Sequence, residues 1–189
     1  GLNFYYMDYT DQLVLTGELN DVGAAIRTNV PRSYRAGVEL SGAWQATSRL
    51  LWKSNLAFSR NKVLAFTEYV DDWDNGGQQV IALGERDLSF SPDVVGSSEL
   101  SYRVWTKRGA GHADLTLVTK YVGRQFLDNT SSLDRSLDAY LVNDLRANVS
   151  LNVKGARRVD INLTVRNLFS ELYESNGWSY SYLYEGQRQ

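Results

Sequence analysis

Residues Ser33–Thr47 read SYRAGVELSGAWQAT. The even positions of this stretch are uncharged, whereas the odd positions hold its two charged residues, Arg35 and Glu39. Successive side chains of a β-strand point to opposite faces of the sheet. The stretch therefore predicts a strand of about 14 residues with one uncharged face and one charged face.

The same alternation recurs along the whole chain, which predicts an all-β fold with antiparallel, up-and-down strands. Soluble strands usually have about 5–6 residues, whereas about eleven residues tilted near 45° span the apolar band of an outer-membrane barrel, about 25 Å tall. The predicted strands are of this longer kind and favour a transmembrane β-barrel, of which about seven strands are present. They are predicted at residues 2–15, 33–47, 51–66, 87–104, 113–128, 140–153 and 159–173.

The connections between these strands alternate in length. Short turns are expected near residues 48, 108 and 156, and longer loops over 16–32, 67–86 and 129–139. Short turns on one side and longer loops on the other are typical of outer-membrane barrels. Trp44, Trp52 and Trp105 lie close to short turns, where an aromatic girdle at the membrane interface is expected. The alternative for each tryptophan is a place in a protein core.

Composition excludes several classes of function. The 189 residues include 20 basic and 22 acidic side chains, and this balance argues against a nucleic-acid partner. Without cysteine and with a single histidine, His112, the chain lacks thiolate and histidine-cluster metal sites. No catalytic motif is present, and we expect no enzymatic activity, no cofactor and no metal site.

A soluble β-sandwich is the competing fold. Its strands also alternate in sequence, because one face of each sheet packs against the core. It would be a binding module. The two folds differ in what lies against the uncharged side of the strands, which is hydrocarbon in one and a second sheet in the other.

Several segments resemble the late barrel strands of TonB-dependent outer-membrane receptors, in forms common in Bacteroidetes. The residues that carry the resemblance are FYYMDYTDQLVLTG at 4–17, NVPRSYRAGVE at 29–39, SFSPD at 89–93, KYVGRQFLDNT at 120–130, NLF at 167–169 and YESNGW at 173–178. They keep the order of the family and extend over nearly the whole chain.

The resemblance implies a 22-stranded barrel filled by a plug domain. We therefore interpret residues 1–189 as a partial β-barrel domain, with the plug domain and the last strand absent. It also implies a place in the outer membrane of a Gram-negative bacterium and energised uptake of a scarce nutrient, such as an iron chelate (siderophore uptake), cobalamin or a similar ligand. The partners would be outer-membrane lipid, the protein's own plug, the inner-membrane TonB complex and the nutrient. A passive porin or a barrel adhesin is the alternative.

In such a barrel the charged face would line the lumen and contact the plug. The alternative is a hydrated wall that contacts nothing specific. A charge turned to lipid costs about 2–4 kcal/mol at the midplane, which favours the lumen in either case. The predicted lumen-facing or plug-facing residues are Arg35, Glu39, Glu99, Arg103, Asp144, Arg146, Asp160 and Arg166.

Two segments outside the predicted strands are candidates for ligand contact. Asp71, Asp72, Trp73 and Asp74 join acidic oxygens with an aromatic ring, but their spacing does not match a calcium-binding EF-hand loop. A solvated acidic loop is the alternative there. The second segment holds Trp178, Tyr180 and Tyr182, and its alternative is the upper end of a strand with girdle aromatics.

Overall fold

The computed structural model describes residues 1–19 and 25–189. Seven long strands form the main sheet, and seven shorter strands and one 3₁₀ turn lie between or after them. The long strands are β1 (Leu2–Leu19), β2 (Ala25–Gln45), β3 (Leu50–Val63), β7 (Val94–Lys107), β8 (Gly111–Val122), β11 (Tyr140–Val153) and β12 (Ala156–Val165). The short elements are β4 (Phe66–Asp72), β5 (Gln78–Leu83), β6 (Arg86–Asp87), β9 (Gln125–Phe126), the 3₁₀ turn Leu133–Arg135, β10 (Ser136–Leu137), β13 (Tyr182–Tyr184) and β14 (Gln187–Arg188).

The main sheet has the order β1-β2-β3-β7-β8-β11-β12, with every neighbouring pair antiparallel. β6 adds a short pairing at the end of β3. Within the described residues, β1 and β12 do not pair with each other, so the sheet is unclosed. The predicted all-β, antiparallel up-and-down fold is therefore confirmed. In the same described ranges, no helix is long and apolar enough to cross a membrane.

Three predicted strand bounds differ clearly from the structure. The strand predicted over 87–104 begins at Val94, because Pro92 just before it lacks the N–H that a ladder needs. The strand predicted over 113–128 ends at Val122. The strand predicted over 159–173 ends at Val165, just before Asn167, whose positive φ of 48° turns the chain out of the sheet.

The loop regions also differ from expectation. β1 and β2 extend into most of the loop predicted over 16–32, of which residues 20–24 lie outside the described residues. The loop predicted over 67–86 contains the β4–β5 hairpin. The short turns near residues 48, 108 and 154 all lie at one end of the sheet, and the longer connections lie at the other, which we call the outer end.

The strand register places most of the large apolar side chains of the seven long strands on one side of the sheet, which we call the apolar face. Charged residues share this side only towards the outer end, where Asp8 and Lys62 lie opposite Tyr34 and Arg60 lies opposite Ala36. Trp44 lies opposite Trp52, for example, and Leu100 opposite Leu117. Many of these side chains are exposed, Phe4 to 70% and Leu163 to 64%. The apolar face includes Leu2, Phe4, Tyr6, Ala36, Val38, Leu40, Trp44, Trp52, Leu56, Phe58, Leu100, Tyr102, Leu115, Leu117, Leu141, Leu145, Val149, Val159, Ile161, Leu163 and Val165.

The buried hydrophobic cluster lies at the outer end, where the β4–β5 hairpin packs against the ends of β1, β2 and β3. It consists of Val14, Val30, Val63, Phe66 and Leu88, with Leu83 packed against it. Val63 lies on the same side of the sheet as Asn61 and Ser59, which is the polar side, opposite the apolar face. The cluster and the hairpin that supplies Phe66 therefore lie on the polar side.

Gly37 is required by the close approach of its neighbours. A Cβ at this position would lie 2.5 Å from the carbonyl oxygen of Phe58 and 2.6 Å from Oη of Tyr5, which lies directly opposite on β1. The Tyr5 ring thus covers the glycine backbone on the polar side of the sheet. By contrast, a Cβ at Gly42 on the same strand meets nothing within 4 Å.

We expect Gly37→Ala to destabilise the sheet by about 1–3 kcal/mol, because the backbone of β3 and the Tyr5 ring must both move. Gly42→Ala is the matched control, and we expect it to change stability by less than about 0.5 kcal/mol. Urea titration of the folded protein measures both. Equal midpoints for the two variants would contradict the proposed contact.

Candidate functional site

The structure places seven of the eight predicted lumen-facing residues on one side of the main sheet, opposite the apolar face. This polar face holds Arg35, Glu39, Glu99, Arg103, Asp144, Arg146 and Asp160. Arg166 follows the last residue of β12 and lies outside the ladder. Whether this face lines a lumen or contacts a plug stays a prediction.

Hydrogen bonds join charged and neutral side chains across the polar face. Arg103 binds Asp114 through two contacts, Nε to Oδ1 at 2.7 Å and Nη2 to Oδ2 at 3.1 Å. Asn3 donates to Glu39 at 3.1 Å, and Arg35 lies 3.4 Å from Oδ1 of Asn61. Cross-strand pairs of this kind fix the register and hold the polar side chains on one side of the sheet.

Several neutral polar side chains of the apolar face are hydrogen-bonded within the sheet. The Thr119 hydroxyl donates to Oδ1 of Asn143 at 2.6 Å. The Trp52 indole N–H donates to Oγ of Ser98 at 2.8 Å, and the Ser54 hydroxyl bonds to a main-chain carbonyl at 3.1 Å. This pairing is what a surface in contact with hydrocarbon requires, because no water is available there.

The three predicted girdle tryptophans lie on the apolar face, near the end with the short turns. Trp44 and Trp52 are direct cross-strand partners. Trp105 reaches this face through a bulge, because the register shifts between Arg103, opposite Asp114, and Trp105, opposite Ala113. Their contact with a membrane interface stays a prediction.

A second, four-stranded sheet lies at the outer end, with the order β14-β13-β4-β5. We call it the outer sheet. It joins the hairpin at residues 66–83 to the last residues of the chain through a parallel pairing of Tyr182 with Asp71. The structure thereby brings together six of the seven predicted ligand-contact residues, namely Asp71, Asp72, Trp73, Asp74, Tyr180 and Tyr182. The alternative for this segment was the upper end of a strand with girdle aromatics. Tyr182–Tyr184 do form a strand, but it pairs in the outer sheet and not in the main sheet. Trp178 precedes the outer sheet and is 73% exposed.

The side of the outer sheet that faces the rest of the protein carries a cluster of four charges. Glu68 and Asp128 are 5% and 2% exposed, and both bind Arg135, at 2.9 and 2.7 Å. Arg188 also binds Glu68 and reaches it from β14. Two carboxylates and two guanidinium groups therefore tie the hairpin, the 124–139 connection and the C-terminal strands into one unit.

Asn129 holds the base of this unit to the main sheet. Its side chain is fully buried. It donates to the carbonyl oxygen of Leu15 at 2.5 Å and accepts from the Ser89 N–H at 2.8 Å. A buried amide with both of its groups satisfied fixes the relative positions of three chain segments.

The opposite side of the outer sheet is rich in aromatic rings, of which Trp73 and Tyr69 are exposed. Trp73 stacks on Tyr182 with ring centroids 4.0 Å apart and planes 15° apart, and Tyr180 lies beside Tyr182 at 5.9 Å. The strand pairing places Tyr69 opposite Val80 on this same side. We call this surface, made by Tyr69, Trp73, Val80, Tyr180 and Tyr182, the aromatic face.

The aspartates of the hairpin are held by hydrogen bonds within the protein, although Asp74 and the turn around it are exposed to solvent. Whether they contact a ligand or form a solvated acidic loop stays a prediction. Asp72 accepts hydrogen bonds from Asp74 N, Asn75 and Gln79, which together close the hairpin turn. Both carboxylate oxygens of Asp74 accept main-chain N–H groups at 2.8 Å, from Glu185 and Gly186. Within the described ranges, no group of three or more His, Cys, Asp or Glu side chains is placed to hold a metal ion.

Two pKa values in the outer sheet follow from these contacts. Hydrogen bonds from Asn75, first of all, and from Gln79 lower the pKa of Asp72 below its ordinary value. The hydrogen bond from the Tyr180 hydroxyl to Asp71 raises the pKa of Tyr180 above its ordinary value, and burial raises it further.

Sequence reasoning missed Glu68, Asp128, Arg135 and Arg188. Their partners are distant along the chain, with Arg135 separated from Glu68 by 67 positions and Arg188 by 120. The only local signal is the alternation of residues 66–72, in which Glu68 shares a side with Phe66 and Val70 and is therefore expected to be buried.

We expect Glu68→Gln to release the C-terminal strands from the hairpin. The change removes the carboxylate that Arg188 binds and weakens the buried contact of residue 68 with Arg135. We expect it to lower the stability of this docking by up to about 3 kcal/mol. Backbone hydrogen exchange at residues 178–188 measures the release and should become faster. Glu85→Gln, at an exposed position of the same connection, is the control. Equal exchange in both variants would contradict the role of Glu68.

Alkaline pH should also weaken this docking. When folding raises the pKa of a group, the group contributes its full stability to the folded state at any pH below its ordinary pKa. That pKa is about 10 for tyrosine. That stability is lost as the pH rises through the raised pKa of Tyr180. We expect the protection of residues 182–184, which compares their exchange rate with that of an unfolded chain at the same pH, to fall over this alkaline range, and Tyr180→Phe to remove that step. The same pH dependence in Tyr180→Phe would contradict the assignment.

Comparison with known proteins supports the fold and identifies the family. Residues 1–168 match the family described as "TonB dependent receptor-like, beta-barrel". No curated protein matches the chain. The ferric yersiniabactin uptake receptor FyuA from Yersinia pestis is similar over 99% of this chain and 24% of its own, with a TM-score of 0.60 and 17% identity.

The FrpB iron transporter from Neisseria meningitidis is similar over 94% of this chain and 26% of its own, with a TM-score of 0.54 and 17% identity. The chain thus spans about a quarter of the length of both solved relatives. The family is one of receptors and not an enzyme family. The predicted resemblance is confirmed, and this chain belongs to the TonB-dependent receptor β-barrel family.

Proposed function

We propose that this chain is a wall segment of an outer-membrane receptor that takes up a scarce nutrient, with energy from the inner-membrane TonB complex. The observation that carries the proposal is the exposed apolar face, which is continuous over seven strands. No second layer of the described residues covers it, and this weighs against a soluble β-sandwich, in which these side chains would meet a core.

The dimensions of the apolar face support a place in the membrane. From Tyr34 to Trp44 on β2, ten residue steps at about 3.3 Å advance about 33 Å, and a tilt near 45° gives a height of about 23 Å. An outer-membrane apolar band is about 25 Å tall. Charges on this side begin at the outer end of the stretch, with Arg60 opposite Ala36 and Asp8 opposite Tyr34. Asp8 forms a 2.9 Å ion pair with Arg32, and these charges mark the return to water in this proposal.

The polar face takes the role of the lumen wall in this proposal. Its side chains present charges of both signs, and several remain partly exposed and able to accept a plug domain. Plug, TonB complex, lipid and nutrient are the partners that the family implies. Iron chelates and cobalamin are the nutrients that the resemblance suggests, and the two solved relatives are described as iron-uptake proteins.

The apolar face predicts opposite outcomes for the same substitution at neighbouring positions of β12. Leu163→Arg places a charge in the membrane and should cost about 2–4 kcal/mol near the midplane. Asn162→Arg, on the polar face, should be tolerated. The measurement is the yield of folded protein in the outer membrane of a Gram-negative host. Equal yields would contradict the orientation of the sheet.

Uptake itself is tested with the complete gene. Deletion should abolish growth on the transported nutrient, and restoration of the gene should rescue growth only in cells with an intact TonB complex. Rescue that is independent of TonB would support a passive porin instead, and unchanged uptake in the deletion strain would support an adhesin.

A further inference from the structure

We infer that a groove across the apolar face holds one acyl chain of an outer-leaflet lipid, with the carbonyl group of that chain bound at the outer end of the groove. The inference rests on the membrane orientation in the proposed function and adds a lipid-binding site to it. It depends on a row of small side chains, on the width of the groove that they form and on one buried amide without a partner.

The floor of the groove is a row of uncharged side chains, each directly opposite the next, on five neighbouring strands. We call it the small row. Its members are Gly42 on β2, Ser54 on β3, Ser98 on β7, Thr119 on β8 and Asn143 on β11. Because the register aligns these positions, the floor is continuous across the sheet.

Two walls of mostly large side chains flank the small row, and no floor or wall position is charged. The wall on the side of the short turns is formed by Trp44, Trp52, Leu100, Leu117 and Leu145, and the wall on the outer side by Leu40, Leu56, Gly96, Tyr121 and Leu141. Leu56 covers Gly96, since its Cδ1 lies 2.9 Å from where a Cβ of that glycine would be. A cavity of about 400 Å³ lies between the walls at the β2–β3 end.

The hydroxyl groups of the small row are engaged within the sheet. The Ser54 hydroxyl donates to a main-chain carbonyl, Ser98 accepts from the Trp52 indole, and the Thr119 hydroxyl donates to Asn143. An uncharged floor of this kind can lie against hydrocarbon and offers nothing to a charged headgroup.

The width of the groove selects a slender occupant. Neighbouring rows on one face of a strand are two residues, or about 6.6 Å, apart. The two walls are therefore about 13 Å apart at the backbone, and their side chains narrow the gap further. A helix with its side chains is about 10–12 Å wide and does not fit, whereas a single hydrocarbon chain does. Five strands spaced by about 4.8 Å give the groove a length of about 19 Å.

A second copy of the chain fits less well than a lipid. Two barrels related by a two-fold axis along the membrane normal present strands that are each tilted by about 45°, so their strands cross at about 90°. A straight wall of one copy then crosses the groove of the other and cannot lie along it.

The tilt of the strands places the Asn143 end of the groove nearer the outer end of the sheet. Asn143 lies eleven residues from the short turn near residue 154, whereas Gly42 lies six residues from the turn near residue 48. At about 3.3 Å per residue and a tilt near 45°, the Asn143 end is about 12 Å higher. A chain that enters from the outer leaflet therefore meets Asn143 first.

Asn143 supplies the polar contact. Its side chain is 91% buried, since only 9% of its surface is exposed. Its Oδ1 accepts from Thr119, but its Nδ2 has no hydrogen-bond partner among residues 1–19 and 25–189. An amide donor left unpaired at this depth is costly, and an acyl carbonyl, which is an acceptor only, would satisfy it.

The test is native mass spectrometry of the complete receptor in detergent, titrated with dipalmitoylphosphatidylethanolamine. The matched probe is the ether-linked analogue, which has the same chains and headgroup but no ester carbonyl. We expect the ester lipid to bind about tenfold more tightly than the ether lipid. Asn143→Leu should remove this preference, because it removes the amide that binds the carbonyl.

Filling the groove should weaken binding of both lipids. A Cβ at residue 42 meets nothing within 4 Å, so Gly42→Phe can fold and place its ring between the walls. We expect it to weaken binding of the ester lipid by about tenfold or more. Leu163→Phe, on the same face but outside the groove, is the control and should leave the affinity unchanged.

Three results would overturn the inference: equal affinity of the receptor for the two lipids, equal affinity of Gly42→Phe and Leu163→Phe for the ester lipid, or a receptor dimer that Gly42→Phe dissociates. The proposed function fails separately, through uptake that does not depend on the gene or on TonB. TonB-dependent uptake together with any of the three results would refute the lipid site alone.

Discussion

In the proposed orientation the structure depends on one constraint, which is that a sheet facing hydrocarbon must satisfy its polar groups within itself. The main-chain groups of the inner strands are paired along long antiparallel ladders, thirteen registered positions between β2 and β3 and twelve between β8 and β11. The side chains obey the same rule, since Thr119 bonds to Asn143 and the Trp52 indole to Ser98 across strands. Away from the outer end, the large side chains that remain exposed on that side are apolar.

The polar side of the sheet follows from the same alternation. Strands that turn their uncharged residues to one side turn Arg35, Glu39 and Arg103 to the other. There each of these side chains bonds to a polar side chain of a neighbouring strand. Because the buried hydrophobic cluster is small and lies at the outer end, the main sheet is stabilised by strand pairing and by its surroundings more than by a core of its own.

The part of the fold that repeats with a period of two residues could be predicted from sequence, because alternation is a local property. The faces of Ser33–Thr47 and of residues 159–165 are examples. The outer sheet could not be predicted, since it depends on pairs such as Tyr180 with Asp71, which are 109 positions apart. The strand ends were predicted poorly where a single residue interrupts the pattern, as Asn167 does with its positive φ. Aromatic residues marked both the hairpin and the C-terminal segment as candidates, but nothing local showed that they meet.

The orientation of the main sheet in a membrane is the central claim, and these 189 residues contain no cysteine that would compete for a label. Single cysteines are introduced one at a time over residues 159–165 of the complete protein, labelled with a nitroxide and studied in lipid bilayers. Each label reports whether it contacts oxygen, which is dissolved in the lipid, or a nickel complex, which stays in water. The account predicts oxygen contact at Val159, Ile161, Leu163 and Val165 and nickel contact at the positions between them. Uniform accessibility, or the reverse alternation, would contradict it.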